Sequence, residues 1–188
     1  MRKRVVILAS GAGTLAQAII DAQDLDIQIV AVVSDNPTAN VLERAHAAQI
    51  NTSIIEMVDD RDEWNKKLFA EVDRFHPDLV VSAGFMRILS ADFVNTFPTI
   101  NSHPALLPDF PGAHAVRDAI ATGVSVTGTT VHWVDAGVDT GPIITQMEVP
   151  VLPNDDEITL HERIKKVERG LIVATIALII PTLETNLR

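Results

Sequence analysis

Two rhythms of apolar residues take turns along this chain. Val5-Val6-Ile7-Leu8-Ala9 is an unbroken apolar run closed by glycines, the pattern of a strand buried on both faces of a parallel sheet. Similar strands are predicted at 27–33, 52–55, 78–82 and 99–102, and helices between them at 14–23, 41–49, 61–75 and 91–97. The third helix shows the clearest period, with Trp64, Leu68 and Val72 four residues apart on one face. Strands alternating with helices predict a mostly parallel, twisted sheet with right-handed crossovers and helices on both faces, a Rossmann-like α/β fold. After residue 102 the rhythm changes. A helix is expected at 114–122, and then two β-branched runs, 125–134 and 143–149, are separated only by a loop with two glycines. No helix fits between them, so they should form an antiparallel extension of the sheet. A last helix is predicted over 156–180, with Leu160, Ile164, Val167, Leu171, Ala174 and Leu178 on its buried face. No linker or internal repeat divides the chain, so one domain, 1–188, is expected.

Composition narrows the function classes. A formal charge of -10 argues against nucleic acid as a partner, which needs a basic face. An anionic ligand would have to be held locally, by helix N-termini or single cations. There are no cysteines, so disulfides and thiolate chemistry are excluded; a cytoplasmic setting is expected. The opening Met1-Arg2-Lys3-Arg4 and its apolar run are too short for a signal segment, and 171–180 is far short of a membrane span. No membrane association is expected. No cluster of acids and histidines has a metal-ligand spacing, so no metal is expected.

Candidate chemistry gathers at two places. Ser10-Gly11-Ala12-Gly13-Thr14 lies between the first strand and the first helix, where glycines allow a tight turn and free N–H groups suit a phosphate. A plain strand-to-helix turn explains it equally well. A dinucleotide site is a third reading: Gly11-Ala12-Gly13-Thr14-Leu15-Ala16 fits the relaxed fingerprint, and Asp35 ends the next strand where a ribose-binding acid belongs. That reading makes the chain an NAD(P)-dependent oxidoreductase, but it leaves little chain for a substrate domain.

It also leaves the second place unexplained. Asn101-Ser102-His103-Pro104 ends the fifth strand, and Asp139-Thr140-Gly141-Pro142 follows in the hairpin loop. Alternate strand residues share a face, so Asn101 and His103 point the same way and Ser102 points away. An amide and an imidazolium can stabilise an oxyanion on an acyl or formyl oxygen, and Asp139 can orient and charge the imidazole. Each motif alone could merely end a strand or make a turn; together they favour carbonyl chemistry. His132, on the strand leading into the Asp139 loop, either approaches the same cleft or is an ordinary half-buried strand residue.

The residues 101–108, Asn-Ser-His-Pro-Ala-Leu-Leu-Pro, followed by Phe110-Pro111-Gly112-Ala113-His114-Ala115, resemble the folate-dependent formyltransferases. Ala83-Gly84-Phe85-Met86-Arg87-Ile88-Leu89 and Asp139-Thr140-Gly141-Pro142 strengthen the resemblance, which covers nearly the whole chain. The Phe-Pro-Gly-Ala-His stretch is similar to the branch that formylates glycinamide ribonucleotide. The resemblance implies formyl transfer from 10-formyltetrahydrofolate to an amine, with Asn101, His103 and Asp139 catalytic. It implies a folate pocket from Arg61, Met86, Arg87, Ile88, Leu89, Asn101, Asp135, Ala136, Gly137, Val138 and Asp139. The substrate would be held by Gly11, Gly13, Thr14, Leu15, Pro104 and Glu168. On this reading 1–100 is the phosphate-binding half and 101–188 the catalytic and folate half. The family loop commonly reads Ser-Asn-Leu where this chain has Thr14-Leu15-Ala16, so phosphate binding must lean on backbone N–H groups. A homodimer is compatible with the sequence, which does not fix the oligomeric state.

Overall fold

The computed structural model describes residues 2–183. Seven strands form one sheet: β1 (Lys3–Leu8), β2 (Ile27–Ser34), β3 (Thr52–Ile54), β4 (Leu79–Ser82), β5 (Thr99–His103), β6 (Val126–Trp133) and β7 (Ile143–Pro150). Their order is β3-β2-β1-β4-β5-β6-β7. β1 to β5 pair in parallel, and β6 and β7 add antiparallel strands at one edge. Six helices connect or cover them: α1 (Thr14–Asp21), α2 (Asn40–Ala47), α3 (Arg61–Asp73), α4 (Ala91–Thr96), α5 (Ala115–Thr122) and α6 (Glu157–Ile179). The expected α/β class and the antiparallel extension are both present, with boundaries shifted by a residue or two.

The continuous apolar runs arise because the central strands are covered twice. Val5, Ile7 and Ala9 pack with α1, α2 and the end of α6, whereas Val6 and Leu8 pack with α3 and α4 through Trp64, Leu68 and Phe93. β4 divides the same way, with Leu79 and Val81 on one face and Val80 on the other. Each strand residue thus loses its whole side chain from water, which drives the sheet together. Three of the helices start on side-chain caps: Asp60 accepts from the Asp62 and Glu63 amides, Ser90 from Phe93, and Asp156 forms a capping box with Thr159.

One expected face is corrected. In α6, Leu160, Ile164 and Leu171 are buried as read from the sequence, but Ala174 and Leu178 are exposed, Leu178 to 60%. The buried residues beyond 171 are Ile172, Thr175, Ile176 and Ile179. The stripe shifts because the two ends of the helix meet different partners. Leu160 and Ile164 pack against Val116 of α5 and Val149 of β7, while the C-terminal half joins Ile7, Ala16 and Ile19. A single straight stripe cannot serve both.

The strand order reverses between β1 and β4, so the loops after these strands diverge and leave a crevice at their C-terminal ends. The glycine loop follows β1, the 83–90 segment follows β4, and His103 ends the next strand.

Candidate active site

β5 is paired on both sides, so its side chains are held to strict alternation. Ile100 and Ser102 face the core containing α1 and α6; Asn101 and His103 face the other way. Across the antiparallel pair, Asn101 lies opposite His132. The β6–β7 loop folds back over this face and delivers Asp139. Its carboxylate reaches three side chains: His103 Nδ1 lies 3.3 Å from Oδ2, and His132 Nε2 and Asn101 Nδ2 lie 3.4 and 3.5 Å from Oδ1. The Gly112 amide donates to Oδ2 at 2.8 Å, tying the Pro-rich loop to the same group. Asn101, His103 and Asp139 therefore converge on one face of the sheet, as the strand alternation and the hairpin loop predict.

The loop is shaped for this delivery. Asp139 sits at φ 54°, a left-handed conformation that Asp tolerates better than most residues. Asp135 Oδ1 accepts from the Gly137 amide at 3.0 Å and the Thr140 hydroxyl at 2.7 Å, closing the turn. The Thr140 hydroxyl is the main reason that the Asp135 carboxyl lies below its ordinary value. A Cβ at Gly141 would run into the Trp133 carbonyl, so glycine is required where the chain re-enters β7.

Burial pushes the Asp139 carboxyl up, but hydrogen bonding from His132 and the Gly112 amide, with the charges of both histidines, outweighs it. The net result is a pKa below the ordinary aspartate value, so this carboxylate holds its charge. His103 has a second acceptor: its Nε2 donates to the Phe110 carbonyl at 2.7 Å. A ring protonated on both nitrogens satisfies the carboxylate and the carbonyl together. His132 is the residue that sequence reasoning left undecided. It is 2% exposed, donates Nδ1–H to the Trp133 carbonyl at 2.9 Å, and turns Nε2 to Asn101 and Asp139. The pairing of β6 against β5 sets His132 opposite Asn101, a register that the sequence alone does not fix.

The opposite face of β5 carries a different carboxyl group. Ser102 donates to Glu168 Oε1 of α6 at 2.7 Å. Burial dominates here and pushes the Glu168 pKa above its ordinary value, despite the Ser102 hydrogen bond and the nearby Lys165 and Arg169. Pro104 follows β5 half-buried.

One hollow lies along the segment after β4, and another lies against the Asp139 loop. The first, of about 460 Å³, is lined by Arg61, Asn65, Met86, Arg87, Ile88, Leu89 and Ser90. Arg61 lies over the Trp64 ring at 4.5 Å and donates to the Ile88 carbonyl. Met86 and Ile88 are 71% and 58% exposed, whereas Leu89 turns into the core. The second, about 280 Å³, lies against Asp139 and Val138 and is walled by Leu107, Pro108 and Pro111. Ala136 and Gly137 are exposed at the tip of the same loop.

The glycine loop leaves Gly11, Ala12 and Thr14 exposed at the start of α1. Gly13 is at φ 71°, and a Cβ there would lie 2.6 Å from the Val41 side chain. Leu15 is 7% exposed and belongs to the core, so only its backbone can face a ligand. Arg44, which the sequence did not mark, donates to the Ala12 carbonyl at 2.8 Å and sets a positive charge beside the loop. Asp35, which a dinucleotide site needs free for ribose, is buried and held by Arg87 at 2.6 Å. Among the described residues no group of three or more His, Asp or Glu side chains could hold a metal ion. No described helix is long and apolar enough to cross a membrane.

Known proteins resemble this chain in sequence and in fold. Residues 3–176 match the formyl transferase family. The phosphoribosylglycinamide formyltransferase of Mycobacterium tuberculosis is 51% identical over 180 residues, covering 93% of this chain and 83% of that protein. The Escherichia coli enzyme of the same name is 41% identical, covering 89% of this chain and 82% of its own length. The crystal structure of glycinamide ribonucleotide transformylase 1 from Symbiobacterium toebii superposes with a TM-score of 0.93 at 37% identity, over 96% of this chain and 89% of that one. Matching folds, near-complete coverage and a third to a half of all residues in common place the chain in the formyl transferase family, with the phosphoribosylglycinamide formyltransferases.

Proposed function

We propose that this enzyme moves the formyl group of 10-formyltetrahydrofolate to the amine of glycinamide ribonucleotide, in the cytoplasm, as a step of purine synthesis. The observation that carries the reading is the meeting of Asn101, His103 and His132 on the Asp139 carboxylate, all within 3.5 Å. The names of the relatives point to the same acceptor.

In this reading the neutral amine attacks the formyl carbon and a tetrahedral intermediate forms. Asn101 Nδ2–H donates to the resulting oxyanion. The oxyanion also displaces the Phe110 carbonyl as acceptor for His103 Nε2–H, while Asp139 keeps Nδ1 of the same ring occupied. The bond from carbon to folate N10 then breaks, and the proton released by the amine passes by way of Asp139 to N10. No covalent enzyme intermediate and no metal is needed. One oxyanion donor is worth roughly 2.7–4 kcal/mol of barrier, and holding amine and formyl group together contributes up to roughly 7–11 kcal/mol.

The donor lies along the larger hollow, with its pterin end towards 135–139 and the backbone of 86–89, and its anionic tail near Arg61 and Arg87. The acceptor phosphate sits on the backbone of Gly11, Gly13, Thr14 and Leu15 beside Arg44. Glu168 and the turn at Pro104 receive the ribose. These assignments make residues 1–188 one functional domain, with the proposed machinery drawn from one chain.

The assay is release of tetrahydrofolate, followed spectrophotometrically. Release only when both 10-formyltetrahydrofolate and glycinamide ribonucleotide are present is expected. Release independent of the ribonucleotide, or none at all, overturns the proposal.

A further inference from the structure

Ser10 stands where β1 ends and the glycine loop begins, and all three of its polar groups hold neighbouring loops. Its amide donates to the Gly84 carbonyl at 3.2 Å. Its carbonyl accepts from Asn36 Nδ2 at 3.3 Å. Its hydroxyl oxygen accepts from the Met86 amide at 2.9 Å. One residue thus joins the loops after β1, β2 and β4. Asp35, in the same loop as Asn36, adds a second strut to the same wall through Arg87.

The wall needs these ties. Met86 and Ile88 are exposed, so only Phe85 and Leu89 anchor the segment by packing. An exposed amide such as that of Met86 could bond to water at little cost; here it is fixed to Ser10 instead. The glycine loop is equally constrained on its far side, where the Gly11 carbonyl accepts from Val41 of α2 at 3.1 Å. An anion held by this loop therefore bears on the wall of the larger hollow through Ser10, whose hydroxyl is the one side-chain tie between them among the described residues.

We propose that Ser10 is a positioning residue that couples the two substrate half-sites, so that filling the anion loop tightens binding along the 86–89 wall. The inference rests on the formyl-transfer reading and adds to it a coupling between donor and acceptor. The coupling is carried by a contact, not by distance, so it is removable at a single atom. Ser10→Ala deletes the hydroxyl and leaves the two backbone ties in place.

Affinity for 10-formyltetrahydrofolate is measured with and without inorganic phosphate as the occupant of the anion loop. In the wild type, phosphate is expected to tighten donor binding about five-fold, the low end of measured couplings. In Ser10→Ala the factor falls towards one, KM for the donor rises more than kcat falls, and the thermal midpoint stays at the wild-type value. Ser10→Thr, which keeps the hydroxyl, restores the coupling. Retention of the full factor in Ser10→Ala overturns the inference. So does a loss of donor affinity accompanied by a fall in thermal midpoint, which marks general loosening. A wild type that transfers formyl groups without any coupling overturns this inference alone; a wild type that binds neither probe overturns the formyl-transfer reading with it.

Discussion

The two faces of β5 hold two carboxyl groups with opposite fates. On one face Asp139 meets two imidazoles, an amide side chain and the Gly112 amide, and its charged form is favoured despite burial. On the other, Glu168 meets the Ser102 hydroxyl with few other donors, and burial raises its pKa above the ordinary glutamate value. The strand places these groups by nothing more than alternation: residues 101 and 103 look one way and 102 the other. What differs is the supply of donors. A carboxylate keeps its charge out of water only where hydrogen-bond donors and positive charge replace the water it loses. One side is equipped to stabilise and move charge, the other to offer a carboxyl group to hydroxyls.

The comparison breaks most visibly if the charged face is not the reactive one. Asn101→Ala is expected to lower kcat by about 10²–10³-fold with little change in either KM, the usual loss of an oxyanion donor. Steady-state kinetics decide this, and a pure KM effect would reassign Asn101 to binding. Ser102→Ala, its neighbour on the opposite face, should leave kcat within about three-fold of wild type, an effect near 0.6 kcal/mol.

Glu168→Gln sharpens the other side. Burial raises the Glu168 pKa, so at neutral pH the folded state bears the cost of an ionised carboxylate that the unfolded chain does not. The cost is absent at pH values below the unfolded value and appears as pH rises through the ordinary glutamate range. The variant should therefore melt higher than wild type at pH 7, with the advantage vanishing in acid, while its KM for the ribonucleotide rises. Equal melting at both pH values contradicts the burial account.

The smallest expected effect is the mirror image. The Asp139 pKa is depressed, so the stability it contributes is present above the ordinary aspartate range and is lost as pH falls through its folded value. Denaturant unfolding of wild type and Asp139→Asn should show a gap that narrows between about pH 5 and about pH 2. Asn tolerates the left-handed backbone of position 139, so the comparison reports charge and not strain.

Much of this was legible in the residues. The strands declared themselves because a doubly covered strand must be apolar throughout, as residues 5–9 are. The pairing of Asn101 with His103 followed from the period of two. Other features required partners that a linear reading does not supply. The buried stripe of α6 drifts because its two ends pack on different elements, so Ile176 is buried where Leu178 was expected. The resemblance puts Leu15 in the phosphate site with its side-chain role open, and the first turn of α1 turns that side chain into the core. His132 needed the register of β6 against β5, and the Phe110 carbonyl that occupies His103 Nε2 comes from a backbone turn at φ 53° that no residue type announces.

The central claim is that the charge on Asp139 drives the chemical step and not the assembly of the site. Single-turnover transfer of a radiolabelled formyl group, with both substrates prebound to wild type and to Asp139→Asn, separates the two. The account expects the variant to bind both substrates with near wild-type affinity and to transfer the group on the order of 10⁴-fold more slowly, the scale seen when an imidazole loses its partner carboxylate. Transfer at the wild-type rate in the bound complex would contradict it.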